Sequence, residues 1–182
     1  NHNWQVSHVV LKQILENSGR FDVDFAISPE QGKDMSGFVL DFSSYQLVVL
    51  DYNGDSWPEE TNRRFLEYVQ NGGWEGRNEN SGPYVYWKDG KLVKDSSAGP
   101  GGSHGRQHEY VLNGRDKVHP VVKGLPLKWR HAKDELYDRM RGPGNIRDIL
   151  YTAYSDKETN GSGREEPLVF TVDYGNARIF HT

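Results

Sequence analysis

The densest group of chemically capable side chains is His104, Arg106, His108 and Glu109, which follow a stretch containing Gly99, Gly101, Gly102 and Gly105. Two histidines four apart with a carboxylate beside the second suit two kinds of chemistry. They can ligate a divalent metal, or they can move protons, because imidazole titrates near neutrality and a carboxylate orients it. Spacing alone does not decide: a His-x-x-x-His pair converges on one ion only on a helix, and Gly105 with the β-like residues after it argues against a helix. Two loop histidines making ordinary hydrogen bonds fit the same residues. A second group is His131, Asp134, Glu135 and Tyr137. A short helix is expected over 133–141, and on a helix His131 and Glu135 would share a face at i and i+4, as a metal pair or a salt-linked surface turn would. His119, just before Pro120, reads as a turn residue.

Other polar groups stand where apolar runs end. Asn53, Gly54 and Asp55 follow 47–52, Ser155 and Asp156 follow 149–154, and His181 follows Ile179 and Phe180. Asn53 and Asp55 suit sugar hydroxyls, with Trp57 or Trp74 to stack on a ring; Asp55 beside Ser56 equally suits the positive end of a helix. Arg164 with Glu165 can line a pocket or remain surface charge. Some chemistries are excluded. Cysteine is absent, so there is no thiolate nucleophile, thiolate metal ligand or disulfide. "GGSHG" at 101–105 only superficially resembles a Gly-x-Ser-x-Gly nucleophile elbow, and no Gly-Lys-Ser/Thr follows the glycine-rich stretch, which sets aside the serine-hydrolase and P-loop readings.

The elements that must position these groups alternate between helical and strand periodicity. Val10, Leu11, Ile14 and Leu15 fit a helix over 7–17 that ends before Ser18 and Gly19. Residues 21–27 alternate as a half-buried strand, and 47–50 form a continuous apolar run, as in a parallel strand covered on both faces. Ser56 and Glu59 form a capping box with Pro58 in the first turn, and Gly72 and Gly73 close that helix. Beyond it, 84–87 and 92–93 flank Asp89-Gly90, the signature of a tight hairpin. Strands are expected over 108–112 and 149–154, and a last hairpin pairs 168–173 with 177–181. The order helix, strand, strand, helix fits a doubly wound sheet, whose ligands bind beyond the carboxyl ends of its strands.

At 182 residues the chain suits one domain. Net charge is −4 with no basic face, so nucleic acid is not an expected partner. No apolar run approaches bilayer length, and no membrane partner is expected. Ten Tyr and five Trp exceed the needs of a small core, and exposed aromatics are the usual platform for sugar rings.

These segments resemble the ThuA-like (trehalose utilisation) family. The resemblance rests on "NHNW" at 1–4, "YNGDSWP" at 52–58, "NGG" at 71–73, "GPYVYWKDGK" at 82–91, "GGSHGRQHEY" at 101–110, "HPVVKGLP" at 119–126, "HAKDELYDRMRGP" at 131–143, "AYSD" at 153–156 and "GNARIFHT" at 175–182. It implies a single α/β domain of the flavodoxin-like, class I glutamine amidotransferase-like type: a three-layer sandwich with a mainly parallel central sheet and added β-hairpins. It also implies an N-terminal strand and a βα unit between Gly73 and Trp74 that this sequence lacks. The expected activity concerns disaccharides, glycosides or keto-sugars, by isomerisation or glycosidic cleavage. His108, Glu109 and Glu135 are the expected proton-transfer groups, with His2, Trp4, Asn53, Asp55, His104, Arg164 and His181 around the substrate. A divalent metal on His104 and His108 is the one cofactor suggested. A non-catalytic carbohydrate-binding module is the alternative, and self-association through the 84–87 strand edge is a third reading.

Overall fold

The computed structural model describes residues 4–69, 82–142, 145–174 and 177–182. The described residues form two compact units, which divide after Tyr68.

The first unit carries α1 (Trp4–Asn17) and all but the last residue of α2 (Glu59–Val69). α1 stops where expected: the Gly19 amide donates to the Glu16 carbonyl at 2.9 Å with Gly19 at φ 68, a left-handed cap that a Cβ would strain. α2 starts at Glu59 with Glu59 and Glu60 in its first turn, where acids meet the positive end of the helix. Its Phe65 packs with Trp57 and Tyr68 around the buried Phe42. The expected closure of this helix by Gly72 and Gly73, and the Gly73–Trp74 junction, lie outside the described residues.

Neither strand expected in this unit forms. Residues 21–27 and 47–50 join no ladder, and apolar side chains of both stay open, with Phe25 46% and Leu50 54% exposed. The reason is topological. A crossover between parallel neighbours is usually a helix packed on the sheet, and only turns and bends connect these two segments. The first segment and the residue after the second are instead tied to α1, through the Lys12 ammonium on the Val23 carbonyl and the Ser7 hydroxyl on Asp51, each at 2.5 Å.

The second unit is built on an antiparallel sheet. Its strands are β1 (Tyr84–Lys88), β2 (Lys91–Asp95), β3 (Ser103–His104), β4 (His108–Gly114), β5 (Lys128–Asp134), β6 (Tyr137–Asp138), β7 (Asn145–Tyr154), β8 (Glu165–Tyr174) and β9 (Ala177–His181). The main sheet runs β2-β1-β8-β7-β4-β5 with β9 also on β8, and β3 pairs with β6 separately. The chain is thus an α/β protein whose sheet is antiparallel, and the mainly parallel, flavodoxin-like sheet expected from the sequence is not what these residues form. The expected helix over 133–141 is also absent. Residues 128–134 pair instead with β4, placing Trp129 opposite Leu112, and β6 follows.

Both hairpins form as read. At the first, Asp89 and Gly90 take φ 51 and 80, the two positive angles of a type I′ turn. Gly90→Ala is therefore expected to cost about 1 kcal/mol in a thermal or urea melt, since only glycine adopts that angle without strain. Two apolar clusters stabilise the sheet. One gathers Leu112, Val122, Leu136, Leu150, Tyr151 and Ala153; the other gathers Val85, Ile146, Ile149, Phe170 and Val172.

Candidate functional site

Four of the sequence candidates lie along one ribbon, in which β3 and β4 run antiparallel to β5 and β6. His104 stands opposite Tyr137, and His108 opposite Asp134. The turn between His104 and His108 is held from outside the ribbon. The Arg106 amide donates to the Thr159 carbonyl at 2.7 Å, its guanidinium donates to the Glu158 carbonyl at 2.7 Å, and any Cβ on Gly105 would collide with the Thr159 carbonyl.

The ladder register shifts between His108 and Tyr110. Such a bulge breaks the in–out alternation of a strand. Successive residues His108, Glu109 and Tyr110 accordingly line one shallow hollow of about 300 Å³, completed by Arg130, Tyr154 and Asp156. Tyr154 is 49% exposed, an aromatic surface open to a ligand. Tyr110 stacks on His131 at 4.8 Å, and burial, then the charge of Asp134, pushes its hydroxyl up to about 12. Glu109 meets Arg130 at 3.2 Å, but both are more than half exposed, so the pair adds little stability.

The imidazoles of this ribbon share one arrangement. His104 Nδ1 faces the Gly105 carbonyl at 2.8 Å, His108 Nδ1 the Arg106 carbonyl at 2.8 Å, and His131 Nδ1 the Ala132 carbonyl at 2.9 Å. A carbonyl oxygen only accepts, so each Nδ1 carries the hydrogen and each neutral ring presents Nε2 as a proton acceptor. His104 Nε2 lies 3.7 Å from Glu135 Oε2, which also accepts the Tyr137 hydroxyl at 3.1 Å. With Nδ1 carrying a hydrogen, His104 attracts the Glu135 carboxylate only when the ring holds a second hydrogen on Nε2, and Glu135 does not line the hollow that holds His108 and Glu109. Among the described residues, no three His, Asp or Glu side chains converge closely enough to hold a metal ion. His104 and His108 lie on different strands, with their Nδ1 atoms facing different carbonyls.

The remaining candidates have other surroundings. Arg164 lies over the rings of Tyr84 and Tyr86, 4.8 and 4.2 Å from their centroids, and reaches Asp95 at 3.5 Å. His181 stacks on Phe170 at 4.5 Å, and burial lowers its pKa. In the first unit Asp55 accepts the Gly32 amide at 2.5 Å, while its carbonyl accepts the Tyr52 hydroxyl, so it fastens two loops together. Trp57 packs among Tyr52, Phe42 and Phe65 instead of standing open for a sugar. Asn53 is exposed in the same unit. His2, Trp74 and the Trp4 side chain lie outside the described residues.

Sequence reasoning missed Tyr110, Arg130 and Tyr154. Only Asp156 carried a signal, as a polar residue just past an apolar run. A second groove, about 400 Å³, runs along Trp87, Arg115 and Asp148 and contains none of the candidates. Its acids are occupied: Asp148 by Thr171 and Arg147, and Asp116 by the amides of Val118 and His119.

An α/β chain with a polar hollow flanked by an exposed aromatic ring is of a kind suited to small polyhydroxylated ligands. The family model for trehalose utilisation (ThuA) matches residues 1–182, and the chain belongs to that family, which gives it a carbohydrate-related role. Among solved structures it is similar to a ThuA-like protein from Parabacteroides merdae, at 86% identity and a TM-score of 0.89, over 100% of this chain and 75% of that one. No curated protein matches the chain. No helix among the described residues is long and apolar enough to cross a membrane.

Proposed function

We propose that the chain acts on a disaccharide, glycoside or keto-sugar at the hollow beside the β4 bulge, with His108 and Glu109 moving protons. The observation that carries this reading is the presence of an imidazole oriented through Nδ1, a carboxylate and an exposed tyrosine in the walls of one hollow. A volume of about 300 Å³ is at the small end of ligand sites and suits a single sugar ring. That ring would stack on Tyr154, with hydroxyls bonded by Arg130, Asn113 and Asp156. His108 Nε2 would accept a proton from a substrate hydroxyl or carbon acid, and Glu109 would steady the charge that develops on the imidazole. Glu135 and His104 form a separate proton-handling pair whose role is secondary on this reading.

The test is to incubate the protein with a panel of disaccharides and their 3-keto forms, with and without a chelator, and to look for converted product. One member of the panel should be converted at a rate the chelator leaves unchanged, since the proposed chemistry needs only proton transfer. Conversion abolished by chelation would contradict that mechanism. Tyr154→Ala is expected to weaken binding about fivefold, the worth of about 1 kcal/mol of stacking. The Glu109–Arg130 ion pair favours a second reading, a non-catalytic carbohydrate-binding module, because it already engages the carboxylate. Saturable binding without any product would point there.

A further inference from the structure

β8 opens with two glutamates whose side chains go to opposite faces of the sheet. Glu165 pairs with Arg115 at 3.0 Å and accepts the Thr152 hydroxyl at 2.5 Å. Glu166, opposite Ala153 of β7, turns inward and is 0% exposed. Its Oε1 accepts the Tyr84 hydroxyl and, at 2.5 Å, the Ser162 hydroxyl. Its Oε2, equally buried, accepts no hydrogen bond of ordinary geometry, although the Arg139 amide is near enough to favour the ionised form slightly.

Asp138, also 0% exposed, is held quite differently. Its Oδ1 accepts from Arg139 at 2.6 Å, and its Oδ2 accepts the Ser155 hydroxyl at 2.7 Å and the Ser162 amide at 2.8 Å. Asp138 is thus a fully bonded carboxylate. Ser162 bridges the two acids, giving its amide to one and its hydroxyl to the other. The other cations nearby are engaged elsewhere: Arg164 over Tyr84 and Tyr86 and towards Asp95, and the buried Arg141 on the carbonyls of Gly82, Ser97 and Pro100. Among the described residues no cation forms an ion pair with Glu166.

We infer that Glu166 and Ser162 form a proton-controlled latch on segment 155–163, which protonated Glu166 clamps to Tyr84 of β1 and ionised Glu166, costly in its buried place, releases. An oxygen buried without a donor is tolerable as part of a neutral carboxyl, where Oε2 holds the proton. As half of a carboxylate beside the negative Asp138, it is costly. Burial pushes the Glu166 carboxyl up to about 7, with the Asp138 charge adding to it, and outweighs the Ser162 and Tyr84 hydrogen bonds, which by themselves favour the ionised form. The latched segment matters for the hollow whatever binds there. It carries Asp156 in the hollow's wall, and its Glu158 and Thr159 carbonyls hold the turn between His104 and His108.

The sign follows from the raised pKa. Between the ordinary carboxyl range and about 7, the closed form binds a proton that the opened form does not, so opening becomes easier as pH rises and levels off above about 7. The test is amide hydrogen exchange over 155–163 in the full chain, corrected for the intrinsic pH dependence of exchange. The opening constant should rise about tenfold per pH unit from pH 5 towards 7, then flatten. Glu166→Gln, neutral throughout, should remain protected with no slope, and Ser162→Ala should open at every pH. Should Glu166→Gln not fold, a carbon-13 NMR titration of the wild-type glutamate carboxyls decides, a buried resonance titrating near 7 being the supporting result. Equal opening at pH 5 and 8, a slope that survives in Glu166→Gln, or a Glu166 carboxyl that titrates in the ordinary range would overturn the latch.

Discussion

His108→Ala is expected to lower kcat on the sugar converted at the hollow by about 10²–10⁴-fold, with a much smaller change in KM. The size follows from what the substitution removes. His108 gives its Nδ1 hydrogen to the Arg106 carbonyl at 2.8 Å, which fixes the ring and leaves Nε2 as the acceptor. Alanine deletes the acceptor without touching Tyr154 or Arg130, to which the proposal assigns ground-state binding of the ring. Glu109→Gln should cost less than His108→Ala, because the amide keeps a polar contact while losing the charge that steadies an imidazolium. Steady-state kinetics with matched melting temperatures separates chemistry from folding. If His108→Ala turns over at the wild-type rate while His104→Ala does not, proton transfer belongs to the His104–Glu135 pair.

The largest stability loss is expected from Phe170→Ala, about 3–5 kcal/mol in urea denaturation. Phe170 is 0% exposed at the centre of the cluster formed with Val85, Ile146, Ile149 and Val172. It faces Ile149 across one ladder and His181 across the next, so truncation opens a cavity between β7, β8 and β9 that none of their backbones can close. His181 adds a second readout. Burial holds its pKa down while its ring lies on Phe170, and loss of that ring should let the pKa rise towards the ordinary imidazole value. A loss below about 1 kcal/mol would mean that the sheet collapses around the gap.

What the sequence made legible were elements whose signal is local. Asp89-Gly90 specifies its turn through two positive φ angles, and α1 carries its own cap at Gly19. Strand pairing is different, because 21–27 and 47–50 have the composition of strands yet a strand exists only beside a neighbour. The i, i+4 spacing of His131 and Glu135 imitates a helix face, but pairing with β4 determines the conformation of the first and a separate two-residue bridge follows the second. The site was legible to the same degree. His104 to Glu109 stand out by residue type, whereas Arg130 and Tyr154 reach the hollow through ladder partners, and Glu166 in "EEPLVF" gives no sign that it is buried.

The most direct test of the sugar site is a titration of the isotopically labelled protein with the panel of disaccharides, following backbone amide shifts by NMR. The account predicts saturable shifts centred on residues 108–111, 130, 154 and 156, weakened by Tyr154→Ala. Shifts centred on Trp87, Arg115 and Asp148 in the other groove, or no shift with any sugar, would contradict it.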